Sequence, residues 1–314
     1  VSDGDEFAWL SENAAEAGLP WSGPPAVRRA SVPAEVVGTD EVGGREVSAL
    51  VWGDGAAQVV LLHGGAQNAH TWDSVALALD RPLVAIDLPG HGLSGWRQDH
   101  DYTPAALARD VAVALWRLAP DAQMVVGMSL GGLTALCLAA GEPDLVARLA
   151  LVDITPSTDA TRAEPILAFL SGPERFASFE EILERTIAFN PTRSVSSLRR
   201  GVIHNARQLP DGSWSWRWDP SARWRPRPGG WCDDDEAVSP SAGFTSLWPL
   251  VEGLRVPLLL VRGARSTVVS DADTAELLRR QPHAGVETVA DAGHSVQGDQ
   301  PVALARVLAR FLDH

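Results

Sequence analysis

Ser129 stands in Gly127-Met128-Ser129-Leu130-Gly131, behind the apolar run Met124-Val125-Val126 and ahead of Leu133-Thr134-Ala135-Leu136-Cys137-Leu138, which reads as helix. A chain that reverses sharply from strand to helix forces its apex residue into strained backbone. Glycines two positions to either side let strand and helix cross without Cβ collisions. The apex side chain is thereby held in the open, where a hydroxyl can attack an electrophile. A serine hydroxyl is a poor nucleophile until a base within hydrogen-bond reach takes its proton, and that base needs an acceptor to hold its tautomer. Among eight histidines, His294 has the right frame: Asp291-Ala292-Gly293-His294-Ser295 lies past the last apolar run and before the closing helix, where a loop at the carboxyl end of a sheet belongs. His100, His204, His283 and His314 lie in polar or helical settings without such a frame, which suits exposed or packed roles.

His63-Gly64-Gly65-Ala66 follows the first strand of a parallel series. Acyl transfer needs two donors aimed at the developing alkoxide, and the backbone N–H of Gly65 with that of Leu130 would supply them. His63 itself is expected to bond neighbouring backbone and shape the loop. Asp87-Leu88-Pro89-Gly90-His91-Gly92 ends the next strand as a tight turn, with His91 structural too.

These residues need a scaffold, and the chain alternates in the way that builds one. Two extended segments flank a turn at Gly43-Gly44, with Arg45 to Trp52 the clearer strand. Apolar runs then follow at Gln58–Leu62, Leu83–Ile86, Gln123–Val126 and Leu149–Val152. Between them lie helices at Thr71–Leu79, Pro104–Leu118 and Leu130–Ala140. Leu107, Val111, Leu115 and Leu118 repeat at helical spacing. Such alternation predicts an α/β fold, a mostly parallel sheet covered by helices on both faces. It stops near Pro156 and resumes with Pro257-Leu258-Leu259-Leu260-Val261, a helix from Asp271, a run Val286–Val289 and a closing helix with Leu304, Val307, Leu308 and Phe311 on one face. The expected division is a core of residues 1–155 and 246–314 and a mainly helical lid at 156–245. The lid carries helical patterns at Ile166–Leu170, Phe179–Ile187 and Val195–Ile203, then Trp214, Trp216 and Trp218 at alternate positions. Those indoles share one side of an extended segment. A hairpin burying its own aromatic face is favoured over a substrate wall, because aromatics more often supply packing area.

The chain resembles the α/β-hydrolase fold family. The resemblance rests on the elbow Gly127-Met128-Ser129-Leu130-Gly131-Gly132, the His63-Gly64-Gly65 loop, Asp87-Leu88-Pro89-Gly90-His91-Gly92-Leu93-Ser94 and Gly293-His294, in the family's order. It covers roughly residues 45 to 155 and 245 to 314. It implies a Ser-acid-His triad in that chain order, an oxyanion hole from Gly65 and Leu130, and neither metal nor organic cofactor. One departure stands out. The family's usual acid follows the strand spelled here Leu258 to Val261, where this chain has Ser266 and Thr267. Asp271 and Asp273 come later and suit the first turn of a helix. The alternative acid position, directly after the strand that follows the nucleophile helix, holds Asp153 in Leu151-Val152-Asp153-Ile154. Asp153 can either orient His294 or brace the loop into the lid; the first is favoured because no better acceptor for the imidazole is visible.

Composition narrows the partners. With 314 residues, 45% hydrophobic, the chain can bury a large core, and a net charge of −14 argues against a sequence-independent grip on nucleic acid or anionic lipid. A small-molecule substrate is expected. Cys137 and Cys232 are the only cysteines and imply neither a disulfide framework nor a cysteine metal site. No signal-like start or membrane-length apolar run is present, which favours a cytoplasmic protein. Oligomeric state is not legible. The leading expectation is a carboxylic ester hydrolase working through an acyl-enzyme on Ser129. A lactonase or carbon–carbon bond hydrolase would use the same residues, and a non-hydrolytic biosynthetic or ligand-binding protein is the competing class. A serine at the elbow argues against dehalogenases and epoxide hydrolases of this fold, which place an aspartate there.

Overall fold

A computed structural model describes residues 5–34, 45–158, 161–221 and 244–314. The turn at Gly43-Gly44 and Cys232 lie outside the described residues. After α1 (Leu10–Glu16), strands β1 (Val27–Pro33) and β2 (Glu46–Trp52) pair antiparallel, as the lead-in pattern predicts. The alternating series follows as β3 (Val59–Leu62), α2 (Asp73–Leu79), β4 (Leu83–Ile86), α3 (Pro104–Leu118), β5 (Met124–Met128), α4 (Leu130–Gly141) and β6 (Leu149–Val152). The helix expected from Thr71 starts instead as a 3-10 turn at Ala69–Trp72, where the Asn68 side chain accepts from His70 N. β5 runs two residues beyond its apolar stretch, to Met128, because its ladder with β6 continues to the elbow.

The core resumes with α8 (Trp248–Gly253), β10 (Leu258–Gly263), α9 (Asp271–Arg280), β11 (Gly285–Val289), α10 (Val296–Asp299) and α11 (Pro301–Asp313), and the short α10 has no counterpart in the sequence reading. The eight strands order as β1-β2-β4-β3-β5-β6-β10-β11. All pairs from β4 to β11 are parallel, while β2 meets β1 and β4 antiparallel.

The central strands β3, β4 and β6 are buried at every position. This is what a parallel sheet covered on both faces requires, since its strands have no solvent side. Val60 and Leu62 of β3 point into one layer with Leu107 and Leu115 of α3 and Leu133 of α4. Val59 and Leu61 point into the other with Trp72, Leu304 and Leu308. Local signals set the helix starts. Thr103 caps α3, accepting from Ala106 N at 3.2 Å with Pro104 at the first turn, and Ser270 with Asp273 forms a capping box on α9.

Between β6 and the 3-10 turn at Thr245–Leu247 lies the insert: α5 (Glu164–Leu170), β7 (Arg175–Phe176), α6 (Phe179–Phe189), α7 (Val195–Asn205), β8 (Ala206–Gln208) and β9 (Trp214–Trp216). The strands form an antiparallel sheet in the order β7-β9-β8, in which β8 and β9 make the expected hairpin and β7 adds a third strand to it. Gly212, at φ 85°, turns β8 into β9. Trp214 packs edge-on to Phe179 at 5.4 Å and Trp216 to Phe176 at 5.7 Å, and Trp218 joins the same buried cluster. The indoles therefore supply packing area, as expected. The N-terminal helix ties this insert to the core: Leu10 is buried among α2 side chains, while Asn13 Oδ1 accepts from Arg200 Nε of α7 at 2.7 Å and Glu12 and Glu16 pair with its guanidinium. No helix among the described residues is long and apolar enough to cross a membrane.

Candidate active site

β5 delivers its chain into α4 through Ser129, whose backbone sits at φ 50° and ψ −118°. A non-glycine residue in that region is strained. The strain is held by the crossing on either side. A Cβ on Gly127 would overlap the Gly131 carbonyl, and one on Gly131 would lie 2.5 Å from His63 O and closer still to Leu62 O. Ser129 N donates to Val152 O at 3.1 Å, pinning the apex to β6. Gly131→Ala is accordingly expected to cost about 3 kcal/mol or more, since the obstructing atoms are backbone and cannot rotate away. A urea midpoint within error of the parent protein would contradict this crossing.

Leu130 opens α4, so its N–H is one of the helix's unsatisfied donors. Neither Leu130 N nor Gly65 N donates to a protein acceptor among the described residues. Gly65 lies in the loop after β3, which packs against the elbow: a Cβ on Gly64 would sit 3.3 Å from Ser129 Cβ. His63 shapes that loop as expected. Its Nε2 accepts from Leu88 N at 2.9 Å, which leaves Nδ1 to donate to Gly64 O at 2.7 Å. His91 packs edge-on to it at 5.1 Å, and both rings are fully buried. Asp87 knots the neighbouring turns, accepting from Ala69 N at 2.7 Å and Leu93 N at 3.0 Å while pairing with Arg29.

β6, β10 and β11 lie side by side, so the loops leaving their carboxyl ends meet. Asp153, directly after β6, is fully buried and has left-handed backbone at φ 51°. Its Oδ2 accepts from His294 Nδ1 at 2.8 Å, and its Oδ1 from Gly263 N at 3.1 Å. The position that usually holds the acid is occupied by a supporting donor: Ser266 Oγ also donates to Asp153 Oδ2, while Thr267 faces solvent. Asp271 and Asp273 serve elsewhere, the first against Arg262, the second in the α9 cap and against Arg162. His294 is held in place from below, because Gly293 N donates to Asp299 Oδ2 at 2.8 Å.

Ser129, His294, Gly65 and Leu130 all line one cavity of about 340 Å³. Its floor comes from the core and its roof from the insert, where Phe169, Leu170, Phe189 and Trp216 supply apolar wall. Trp216 thus contributes to the wall as well as to packing. Among the described residues no hydrogen bond joins Ser129 to His294; catalytic hydrogen bonds of this kind tighten in the complex with substrate.

Sequence reasoning missed a second polar group on the same wall. His70 Nδ1 meets Asp73 Oδ2 and its Nε2 meets Glu6 Oε1, each at 3.0 Å, and the ring stacks on His204 at 3.7 Å. The donor atoms of His70, Asp73 and His204 lie within 4.8 Å of one another, the one such grouping among the described residues. Both ring nitrogens of His70 are engaged by carboxylates, so the arrangement is a charged hydrogen-bond network; ligation would need His70 to release one of them. No sequence signal marks it, because His70 lies in a 3-10 turn and His204 at the end of a helix of the insert.

The histidines give stability a pH dependence. Burial lowers His63 to about 4 and His91 to about 3, and burial with the nearby His70 charge lowers His204 to about 2. Burial also works against His70, but Asp73 and Glu6 outweigh it and raise it to about 9. The unfolded chain binds more protons than the folded one at the first three as pH falls below 6.5, so stability drops on that side. For His70 the folded chain holds the extra proton, a contribution present below 6.5 and lost as pH rises through 9. Urea unfolding from pH 4.5 to 9 is expected to show greatest stability near 6.5, with on the order of 2 kcal/mol lost per buried histidine toward 4.5. The alkaline limb should flatten in His70→Gln. A flat profile from 6.5 to 9 in the parent protein would contradict the His70 network.

A family model for the alpha/beta hydrolase fold matches residues 58–301. The chain belongs to the α/β-hydrolase fold family. Within it, the chain is 46% identical over 317 residues to Esterase Rv0045c of Mycobacterium tuberculosis, covering 98% of this chain and 96% of the relative. The crystal structure of that esterase superposes with a TM-score of 0.82 at 45% identity, covering 100% of both chains. Identity to a 3-hydroxybutyrate-oligomer hydrolase of Cupriavidus necator is 32% over 265 residues, covering 81% and 88% of the two chains. Similarity of this extent within the α/β-hydrolase family carries the class of activity, carboxylic ester hydrolysis.

Proposed function

We propose that the protein is a serine hydrolase that cleaves a carboxylic ester, or a lactone, of a small apolar substrate through an acyl-enzyme on Ser129. The observation that carries this reading is the 2.8 Å bond from His294 Nδ1 to the buried Asp153 carboxylate. It commits the Nδ1 proton to Asp153 and leaves Nε2 as the free base facing the cavity. Ser129 Oγ forms a bond to the acyl carbon as its proton passes to His294 Nε2. The carbonyl oxygen, now negative, is received by Leu130 N and Gly65 N, helped by the N-terminal end of α4. Collapse breaks the bond to the alcohol oxygen, which takes the proton back from His294. Water then attacks the acyl carbon by the same route and frees Ser129 and the acid.

The insert acts as the lid, its described residues Phe169, Leu170, Phe189 and Trp216 supplying the apolar wall that excludes bulk water. The relatives support esters as the substrate class, one of them being named for hydroxybutyrate oligomers. Turnover of aryl esters of increasing acyl length tests the reading, and the expected result is hydrolysis that favours the chain lengths a cavity of about 340 Å³ accepts. Equal inertness of the parent protein and its Ser129→Ala variant across the whole panel would overturn it.

A further inference from the structure

Two arginines from the α6–α7 region line the cavity, and they differ in what surrounds them. Arg200 is held by two carboxylates and two neutral acceptors: Glu12, Glu16, Asn13 Oδ1 and Ser196 Oγ all receive its donors. Arg193, in the turn between the helices, has one neutral partner. Its Nη2 donates to Ser197 Oγ at 2.7 Å, its Nε is buried without an acceptor, and no carboxylate lies within ion-pair distance among the described residues. Burial depresses the guanidinium below its ordinary value, although Asp299 and Glu16 act in the opposite direction from farther away. Its placement is specific. A Cβ on Gly298 would sit 2.8 Å from Nη1, so the glycine in α10 leaves room for the guanidinium to lie against the element that follows His294.

A half-buried guanidinium whose Nε is sealed off without an acceptor and whose only partner among the described residues is a neutral hydroxyl is stabilised when an anion meets it, and its planar fork matches a carboxylate. The same cavity offers apolar wall from Phe169, Leu170 and Phe189. We propose that Arg193 anchors a free carboxylate of the substrate, so that the preferred ester couples an apolar portion with an acidic group remote from the bond that breaks. The identity of the substrate as an ester rests on the function argued above; the carboxylate anchor does not.

The test compares matched aryl esters. An aryl hemiglutarate against the aryl pentanoate places the acid on the acyl side, and 3-acetoxybenzoate against phenyl acetate places it on the leaving side. The parent protein should prefer the acid in one of the two pairs. That preference, as a ratio of kcat/KM, should fall at least tenfold in Arg193→Gln, chiefly through KM, and be partly kept in Arg193→Lys. Taking ratios within each variant removes any general loss of folded enzyme. A second measurement separates the anchor from the chemistry: calorimetric binding of glutarate monomethyl ester to Ser129→Ala should weaken at least tenfold when Arg193→Gln is added. If that binding behaves as expected while no ester is turned over, the ester reading fails and the anchor stands. No preference for the acid in either pair, or a ratio unchanged in Arg193→Gln, overturns the anchor.

Discussion

Ser129→Ala is expected to lower kcat for a good aryl ester by about 10⁵- to 10⁶-fold while leaving the urea midpoint essentially where it was. The two halves of this expectation have separate causes. Alanine keeps the Cβ, so the φ 50° backbone at the apex is strained to the same degree and the crossing of Gly127 past Gly131 is untouched. What disappears is the oxygen on which the acyl-enzyme of the proposed mechanism forms. Enzymes that lose a nucleophile of this kind keep the modest acceleration supplied by the oxyanion donors and by binding, which sets the floor well above the uncatalysed rate. Residual activity within a hundredfold of the parent would mean that another group attacks the ester.

Asp153→Asn is expected to lower kcat by about 10⁴-fold with little change in fold. The carboxylate has three donors around it: His294 Nδ1, Gly263 N and Ser266 Oγ. An asparagine of the same shape offers one acceptor oxygen, which Gly263 N will hold, so its NH₂ takes the place of Oδ2, where Ser266 Oγ can turn to accept from it. Its NH₂ then points at His294 and demands a lone pair on Nδ1. That selects the tautomer with the proton on Nε2, which cannot accept a proton from Ser129. The measurement is kcat at saturating ester beside a circular-dichroism melt. A rate within tenfold of the parent would assign the orienting role elsewhere.

The elbow, the histidine loop and the strand and helix series were legible because each is written in a short stretch of chain. Glycine spacing around Ser129 reports a backbone crossing, and four-residue apolar runs report strands buried on both faces. Asp153 could be offered as an acceptor on similar grounds, but its meeting with His294 joins residues 141 apart and depends on β6, β10 and β11 lying in that order. Nothing local announces that Ser266, at the customary acid position, would turn to support Asp153. Arg193, His70 and His204 were beyond reach for a related reason. They matter through where the insert and the N-terminal helix dock, and docking is decided by contacts such as Asn13 with Arg200 that no periodicity encodes. Alternation alone does fix the face that Trp214, Trp216 and Trp218 share, and although packing is the favoured role, Trp216 both packs and lines the cavity.

In the proposed mechanism Ser129 is the residue activated by His294 and Asp153. Covalent labelling with a fluorophosphonate, followed by mass spectrometry of the peptide spanning residues 124–141, tests it most directly. Stoichiometric phosphonylation of Ser129 is expected in the parent protein, with much slower labelling in Asp153→Asn and none in Ser129→Ala. Label on any other residue, or an unlabelled Ser129 in protein that is turning over ester, would contradict it.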